Sequence, residues 1–215
     1  MPVHSGHAHF SGQIYRCPAT LVLEAPVTHF IAELAPTALF EIHARNASTF
    51  TNRVVAVDPA SASGSLAPLI GLDSNSGEPN AAFLSCLLAL HRNRKTLSSE
   101  VANAVQKIEE TRGLVEIQSL VRGSSPSSLS RSFKKCVGIP PKFFSRVLQI
   151  NSAIKTLSEQ IGTDRIADIA SDHGFADEAH LSRSVRSFYE DTPASLRAQI
   201  NAIIAAFPVG SSADV

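Results

Sequence analysis

One pattern of residues occurs twice in the second half of the chain, and the two copies lie 52 residues apart. Each copy has a short apolar helical stretch, a glycine, a helix with the residues Leu-Ser-Arg-Ser, and a proline that opens another helix. The copies read "EIQSLVRGSSPSSLSRSFKKCVGIPPKFFSR" and "RIADIASDHGFADEAHLSRSVRSFYEDTPASLR". A glycine between two helices allows the tight turn of a helix-turn-helix. The repeat therefore predicts two such units, with Arg131 and Arg183 at equivalent positions.

Apolar periodicity and capping residues predict that the chain is helical from Ser98 onward. A first helix carries Val101, Val105 and Ile108 on one face and ends at Gly113. Further helices are expected at residues 116–122, 125–137, 142–160, 164–174 (capped by Asp164), 177–189 and after Thr192-Pro193. The long helix has apolar residues at alternating spacings of four and three, which predicts a buried stripe of Phe143, Val147, Ile150, Ile154 and Leu157.

The N-terminal part of the chain has a different composition. Residues 13–34 are rich in strand-forming residues, and residues 35–50 have a helical pattern. Residues 58–80 are rich in Ser, Gly, Pro and Asp, which is typical of a linker, and Asn80 is expected to cap an apolar helix. The predicted fold class is α+β, with a small β-rich N-terminal module and linker (residues 1–97), an all-α double helix-turn-helix domain (98–205) and a tail (206–215).

Charge is unevenly distributed, although the chain of 215 residues has a formal net charge of zero. Residues 122–155 contain seven basic residues and no acidic residue. Residues 156–191 contain three basic and eight acidic residues. A local positive excess of this kind is typical of a surface that binds nucleic-acid phosphates. The first copy of the repeat is therefore the stronger candidate for phosphate binding.

The helix of the first copy has one polar and one apolar face. Helical spacing places Ser127, Ser130, Arg131 and Lys134 together, while Leu129, Phe133 and Cys136 lie on the opposite, core-facing side. Small side chains around an arginine allow close approach to base edges, and arginine can bond both O6 and N7 of guanine. The polar face therefore fits the major groove of DNA.

The repeat resembles the double helix-turn-helix DNA-binding domain of the AraC/XylS family of bacterial transcription regulators. The stretches "SLSRSFKKCVGIPPKFFSRV" and "IADIASDHGFADEAHLSRS" carry the resemblance, which covers about residues 99–200. Leu181 and Val185 stand where large aromatic residues are usual in that family. The resemblance implies two helices that enter successive major-groove segments of double-stranded DNA.

The resemblance also implies roles for individual residues. Base-reading positions are expected at Ser127, Ser130 and Arg131 in the first copy and at Ala179, His180 and Arg183 in the second. By their own charge, Lys134, Lys135, Arg146 and Arg186 suit phosphate contacts, which orient a protein on DNA without specifying sequence. Two alternatives stay open, because both arginines suit surface ion pairs and His180 suits an exposed position without a base contact.

The stretch "FIAELAPTALFEIHARNASTFTNRVVAVD" is similar to the end of the β-rich module that precedes the DNA-binding domain in one subgroup of these regulators. That module is a cupin-like sensor or dimerisation unit. About 34 residues precede Ala35, enough for roughly three strands, whereas a closed barrel usually needs about eight. Either a reduced sensor or a chain that begins inside a longer ancestral domain is expected.

Neither a cofactor nor a catalytic constellation is expected. His4, His7 and His9 lie near Cys17, but their spacing matches no structural zinc site, so a solvated tail is the preferred interpretation. The three cysteines are expected to be free thiols. The start of the chain lacks a secretory-signal pattern and no apolar run reaches the ~20 residues of a membrane span, so the cytoplasm is the expected location.

The predicted function is that of a non-enzymatic, sequence-specific DNA-binding transcription regulator. RNA polymerase and a second copy of the chain are candidate protein partners, and any small-molecule effector is unspecified by the sequence. Two alternatives are a DNA-repair-type enzyme that carries this domain and a degenerate regulator that acts only by binding other proteins.

Overall fold

The computed structural model describes residues 9–13, 33–43, 46–56, 79–92, 94–159 and 165–206. These ranges contain two short strands, β1 (His9–Ser11) and β2 (Val54–Ala56), and two 3-10 helices, Ala47–Phe50 and Ile117–Leu120. The α-helices are α1 (Ala38–His43), α2 (Pro79–Arg92), α3 (Ser99–Glu110), α4 (Pro126–Val137), α5 (Pro141–Glu159), α6 (Ile166–Asp172), α7 (Glu178–Tyr189) and α8 (Pro193–Ala206). Among the described helices, none is long and apolar enough to cross a membrane.

The chain divides into two compact units that interleave along the sequence. One unit comprises Met1–Gln106 with Ile117–Pro141, and the other comprises Lys107–Glu116 with Lys142–Val215. Residues 117–141 of the first copy lie in the former unit, whereas its remaining residues and the whole second copy lie in the latter. The predicted bounds of domains along the sequence, with a boundary at residues 97 and 98, stay a prediction.

In the first unit, helix α4 packs against elements from the N-terminal part of the chain. Its residues Leu129, Phe133, Cys136 and Val137 are buried, which confirms the predicted core-facing side. Helix α1 and the 3-10 helix Ala47–Phe50 both contact α4. The Thr51 hydroxyl donates a hydrogen bond of 3.1 Å to the carbonyl of Gly138, the residue that ends α4. The N-terminal elements therefore support the helix of the first copy.

The second unit has a core built around α5. The buried members of this core come from four elements: Ile150, Ala153, Ile154 and Leu157 of α5, Ile169 and Ala170 of α6, Phe175 of the turn, and Leu181 and Val185 of α7. Leu181 and Val185 are both fully buried, so these aliphatic residues occupy core positions. The predicted stripe of α5 is confirmed for its last three residues. Phe143 and Val147 are only half-buried, and Phe143 stacks on Phe188 with 5.1 Å between ring centroids.

Three predicted helices differ from the observed ones, one in its type and length and two at their starts. The stretch 116–122 forms only the 3-10 helix Ile117–Leu120. Helix α2 begins at Pro79, so Asn80 lies inside the helix; proline suits this first turn because the amide hydrogen it lacks would be unpaired there. Helix α6 has Arg165 as its N-cap residue, without a side-chain capping bond, and the predicted cap Asp164 lies outside the described residues.

The predicted β-rich module is described only in small part. Strands β1 and β2 pair antiparallel, with Phe10 opposite Val55. Most of residues 13–34, where strands are expected, lie outside the described residues. The helix expected over 35–50 is present as two short pieces, α1 and the 3-10 helix Ala47–Phe50. The β-rich character of this module stays a prediction.

Candidate nucleic-acid interface

Both copies of the repeat contain a sharp glycine turn between two helical elements. Gly123 has a φ of +93° and Gly174 a φ of +74°, in the left-handed region that favours glycine. A Cβ atom on Gly174 would lie 2.4 Å from a methyl carbon of Leu114, so only a residue without a side chain allows this close packing. The structure thus contains both helix–turn–helix arrangements that the repeat predicts.

Helix α4 begins with a capped turn and presents the predicted polar face outward. The Ser125 hydroxyl accepts the Ser128 amide hydrogen at 3.2 Å, and Pro126 occupies the first turn. Ser127, Arg131 and Lys134 are exposed, and Ser130 is half-buried. The Arg131 Nε atom donates to the Ser127 carbonyl at 3.4 Å, which keeps the guanidinium along this face. The four side chains predicted to share one face are brought together.

Lys135 lies at the junction between α4 and α1. Its side chain is exposed, and its Nζ atom lies 5.9 Å from the centroid of the Phe40 ring. The neighbouring Cys136 is a free, buried thiol, and burial raises its pKa. The enzyme alternative rests on Cys17 and the nearby histidines, and Cys17 lies outside the described residues.

Helix α7 begins with a tightly capped turn. The Asp177 carboxylate accepts the backbone amide hydrogen of His180 at 2.6 Å. The His180 Nδ1 atom lies 3.2 Å from the Ala176 amide nitrogen, and the imidazole contacts the Phe175 ring edge-on at 5.5 Å between centroids. Ala179, Arg183 and Arg186 are exposed, whereas His180 is half-buried.

Arg146 of α5 contacts the beginning of the second copy's helix. Its guanidinium lies over the Phe175 ring, with 4.6 Å between the guanidinium carbon and the ring centroid. It donates to the Gln149 side-chain oxygen at 3.2 Å and contacts Nε2 of His180. Gln149 in turn donates to the Gly113 carbonyl at 3.1 Å. Partial burial lowers the pKa of Arg146.

This cluster brings together a predicted phosphate contact, Arg146, and a predicted base contact, His180. Gln149 was not among the predicted site residues, and its position in a helix gives no local signal of its role. Phe175 follows Gly174 in the second copy only, since Ser124 follows Gly123 in the first, and the sequence gives no sign of a cation above the Phe175 ring. The individual DNA-contact roles stay predictions.

Several carboxylates near the second copy are used at helix N-termini. Asp177 caps α7, and Asp191 accepts the Thr192 amide hydrogen at 2.7 Å and the Ser195 hydroxyl at 2.8 Å. These hydrogen bonds, that from Ser195 foremost, hold the pKa of Asp191 below its ordinary value. Part of the negative charge of residues 156–191 therefore stabilises helix starts.

The structure describes only one of the four candidate metal ligands near the N-terminus. His4, His7 and Cys17 lie outside the described residues, and His9 lies in β1. Within the described ranges, no three His, Cys, Asp or Glu side chains gather where they could hold a metal ion.

Comparison with known proteins gives one family match and two similar structures. Residues 121–199 match a family described as a helix-turn-helix domain. No curated protein sequence matches the chain significantly. A transcriptional regulator from Chromobacterium violaceum, described among AraC-type DNA-binding domain-containing proteins, is 26% identical with a TM-score of 0.42, over 47% of this chain and 91% of that one. The C-terminal domain of AraT, a response regulator from Geobacillus stearothermophilus, is 22% identical with a TM-score of 0.44, over 49% of this chain and 88% of that one.

Proposed function

We propose that the chain is an AraC-type transcription regulator that recognises specific double-stranded DNA through α4 and α7, because residues 121–199 match a helix-turn-helix domain family. We call these two helices, α4 (Pro126–Val137) and α7 (Glu178–Tyr189), the reading helices. Each follows the glycine turn of its copy of the repeat, and the helix after the turn is the one that lies in the major groove in helix-turn-helix proteins. The exposed face of α4, with Arg131 between serines and no acidic residue in residues 122–155, carries the proposal.

The proposed contacts divide into two kinds. Base edges are read by Ser127, Ser130 and Arg131 of α4 and by Ala179, His180 and Arg183 of α7. Phosphates are bound by Lys134, Lys135 and Arg186, whereas the phosphate contact expected at Arg146 from the sequence competes with the contacts that Arg146 makes within the protein. Exposure of Arg131, Arg183, Lys134 and Arg186 supports these roles, since a contact residue must be accessible.

Binding by the two reading helices is proposed to be asymmetric. Phosphate neutralisation dominates the affinity of proteins for DNA. The segment with α4 has the uniform positive charge that this requires, whereas α7 lies in a segment with eight acidic residues. The capping roles of Asp177 and Asp191 reduce this contrast without removing it. The segment 122–155 therefore anchors the protein, and α7 contributes mainly discrimination.

Selection of binding sites from a pool of randomised double-stranded DNA tests the proposed function. We expect the full chain to enrich one sequence with two conserved blocks about one helical turn apart. Enrichment of no sequence, together with stable association with another regulator, would favour the degenerate-regulator alternative. Stoichiometric zinc in the purified protein, together with activity on damaged DNA, would favour the enzyme alternative. RNA polymerase and a second copy of the chain stay predicted partners.

Replacement of Arg131 by alanine is expected to reduce binding to the selected site by about 1–3 kcal/mol and to relax the preference at one base pair. The physical reason is that arginine can bond two acceptors of one guanine. Binding constants for the selected site and its single-base variants measure the effect. Lys107→Ala, which removes an exposed positive charge from α3, is the control. An equal loss on selected and scrambled DNA would instead assign Arg131 to a phosphate.

Replacement of Lys134 by alanine is expected to flatten the plot of log binding constant against log salt concentration by about 0.9, the slope of one phosphate contact. Arg186→Ala is expected to change the slope much less, because α7 lies in the acidic segment. Footprinting should show strong protection of one major-groove segment and partial protection of the next. Equal slope changes and equal protection would contradict asymmetric binding.

A further inference from the structure

Arg146 is held on three sides by residues of its own unit. One face of the guanidinium lies on the Phe175 ring, one nitrogen donates to Gln149, and another contacts His180. Gln149 is fixed in turn by its bond to the Gly113 carbonyl. A planar guanidinium can lie flat on an aromatic ring while its nitrogens donate within its plane, a geometry that the compact lysine ammonium does not have. The site thus matches the shape of arginine as well as its charge.

The two contacts of the His180 ring cannot both be hydrogen bonds. Both Arg146 and the Ala176 amide can only donate, and a histidine ring that carries a proton has at most one accepting nitrogen. A bond from a charged donor is stronger than one from a neutral amide. Acceptance from Arg146 requires that the Nε2 atom of His180 is unprotonated and that the ring proton is on Nδ1, which then cannot accept from the Ala176 amide.

We propose that Arg146 is a positioning residue that fixes His180, and with it the first turn of α7, for DNA recognition. The inference deepens the proposed function and rests on it. His180 is tied to this turn at its backbone by Asp177 and at its ring by Arg146. Ala179 and Arg183, the exposed residues on either side, are thereby held in one orientation towards the DNA. With Gln149 and His180 as partners, the guanidinium has fewer of its five N–H donors left for a phosphate.

The two roles of Arg146 predict different salt dependence. If Arg146 only positions α7, its replacement removes no phosphate contact. The slope of log binding constant against log salt concentration then stays that of the parent. A phosphate contact contributes a slope of about 0.9. Lysine is a good phosphate ligand, so Arg146→Lys would preserve a phosphate contact but not the three-sided arrangement.

DNA-binding measurements on four variants test this inference. They are Arg146→Ala, Arg146→Lys, His180→Ala and the double variant that combines the two alanine replacements. We expect each to lower the preference for the base pairs read by α7 by about tenfold, within the range of a specific base contact. The double variant should lose no more than either alanine variant alone, and the salt slopes should stay unchanged. A flatter slope in Arg146→Ala, parental binding by Arg146→Lys, and additive losses would overturn the proposal.

A measurement on the free protein separates this inference from the proposed function. The 15N chemical shifts of the His180 ring, assigned by their loss in His180→Gln, report which nitrogen carries the proton. At about pH 8, where histidine is ordinarily neutral, we expect Nδ1–H in the parent and a shift towards Nε2–H in Arg146→Ala. Identical shifts in both proteins would overturn the positioning role even if DNA binding is specific. A parent that binds no specific DNA would overturn the proposed function alone.

Discussion

Replacement of Phe133 by alanine is expected to lower the free energy of unfolding by about 3–5 kcal/mol. Phe133 is fully buried in α4 and is the largest fully buried side chain in the part of the chain that the structure describes. Its removal leaves a cavity that the neighbours can fill only in part. Because domains are typically stable by about 5–15 kcal/mol, the first unit would lose much of its stability. Urea denaturation followed by circular dichroism measures the loss.

The neighbouring residue on the same helix is a matched control. Ser132 is exposed, so Ser132→Ala is expected to change the unfolding free energy by less than about 0.5 kcal/mol. Amide hydrogen exchange places the effect of Phe133→Ala within the chain: protection should fall in α4 more than in α7, because the two helices lie in different units. A Phe133→Ala protein with parental stability would contradict the burial of this side chain.

Replacement of Ile154 by alanine is expected to destabilise the second unit by about 2–5 kcal/mol. Ile154 is 8% exposed and belongs to the core that joins α5 to α6 and α7. The variant should lose DNA binding on warming although no proposed DNA contact is removed, because α7 loses its support. Thermal melting, with binding measured at several temperatures, tests this expectation.

The adjacent Lys155 provides the control for Ile154. Its side chain is 75% exposed, and its surface ion pair with Glu159 spans 3.7 Å. Such exposed pairs contribute about 0–1 kcal/mol, so Lys155→Ala should melt close to the parent. If Ile154→Ala were as heat-stable as Lys155→Ala, the assignment of Ile154 to the core would be wrong.

The two units differ in how far local sequence predicted them. In α4 the polar and apolar faces and the predicted range 125–137, which is observed as Pro126–Val137, follow from residues within one helix. In α5 the apolar spacing predicted five buried residues, but Phe143 and Val147 are half-buried. Helical periodicity tells which side chains share a face. The extent of the neighbouring elements decides how much of that face is covered.

Sequence by itself determined the duplicated helix–turn–helix units, their left-handed glycine turns and the exposed face of α4, since helical period and glycine backbone freedom act within a few residues. Only the tertiary structure decided that Arg146 contacts His180, 34 residues away, and that Thr51 bonds to Gly138, 87 residues away. The physical reason is that a long polar side chain has many rotamers, and their choice depends on partners that distant parts of the chain bring near. Arg146 could therefore be predicted as a cation but not as a residue held between Phe175 and His180.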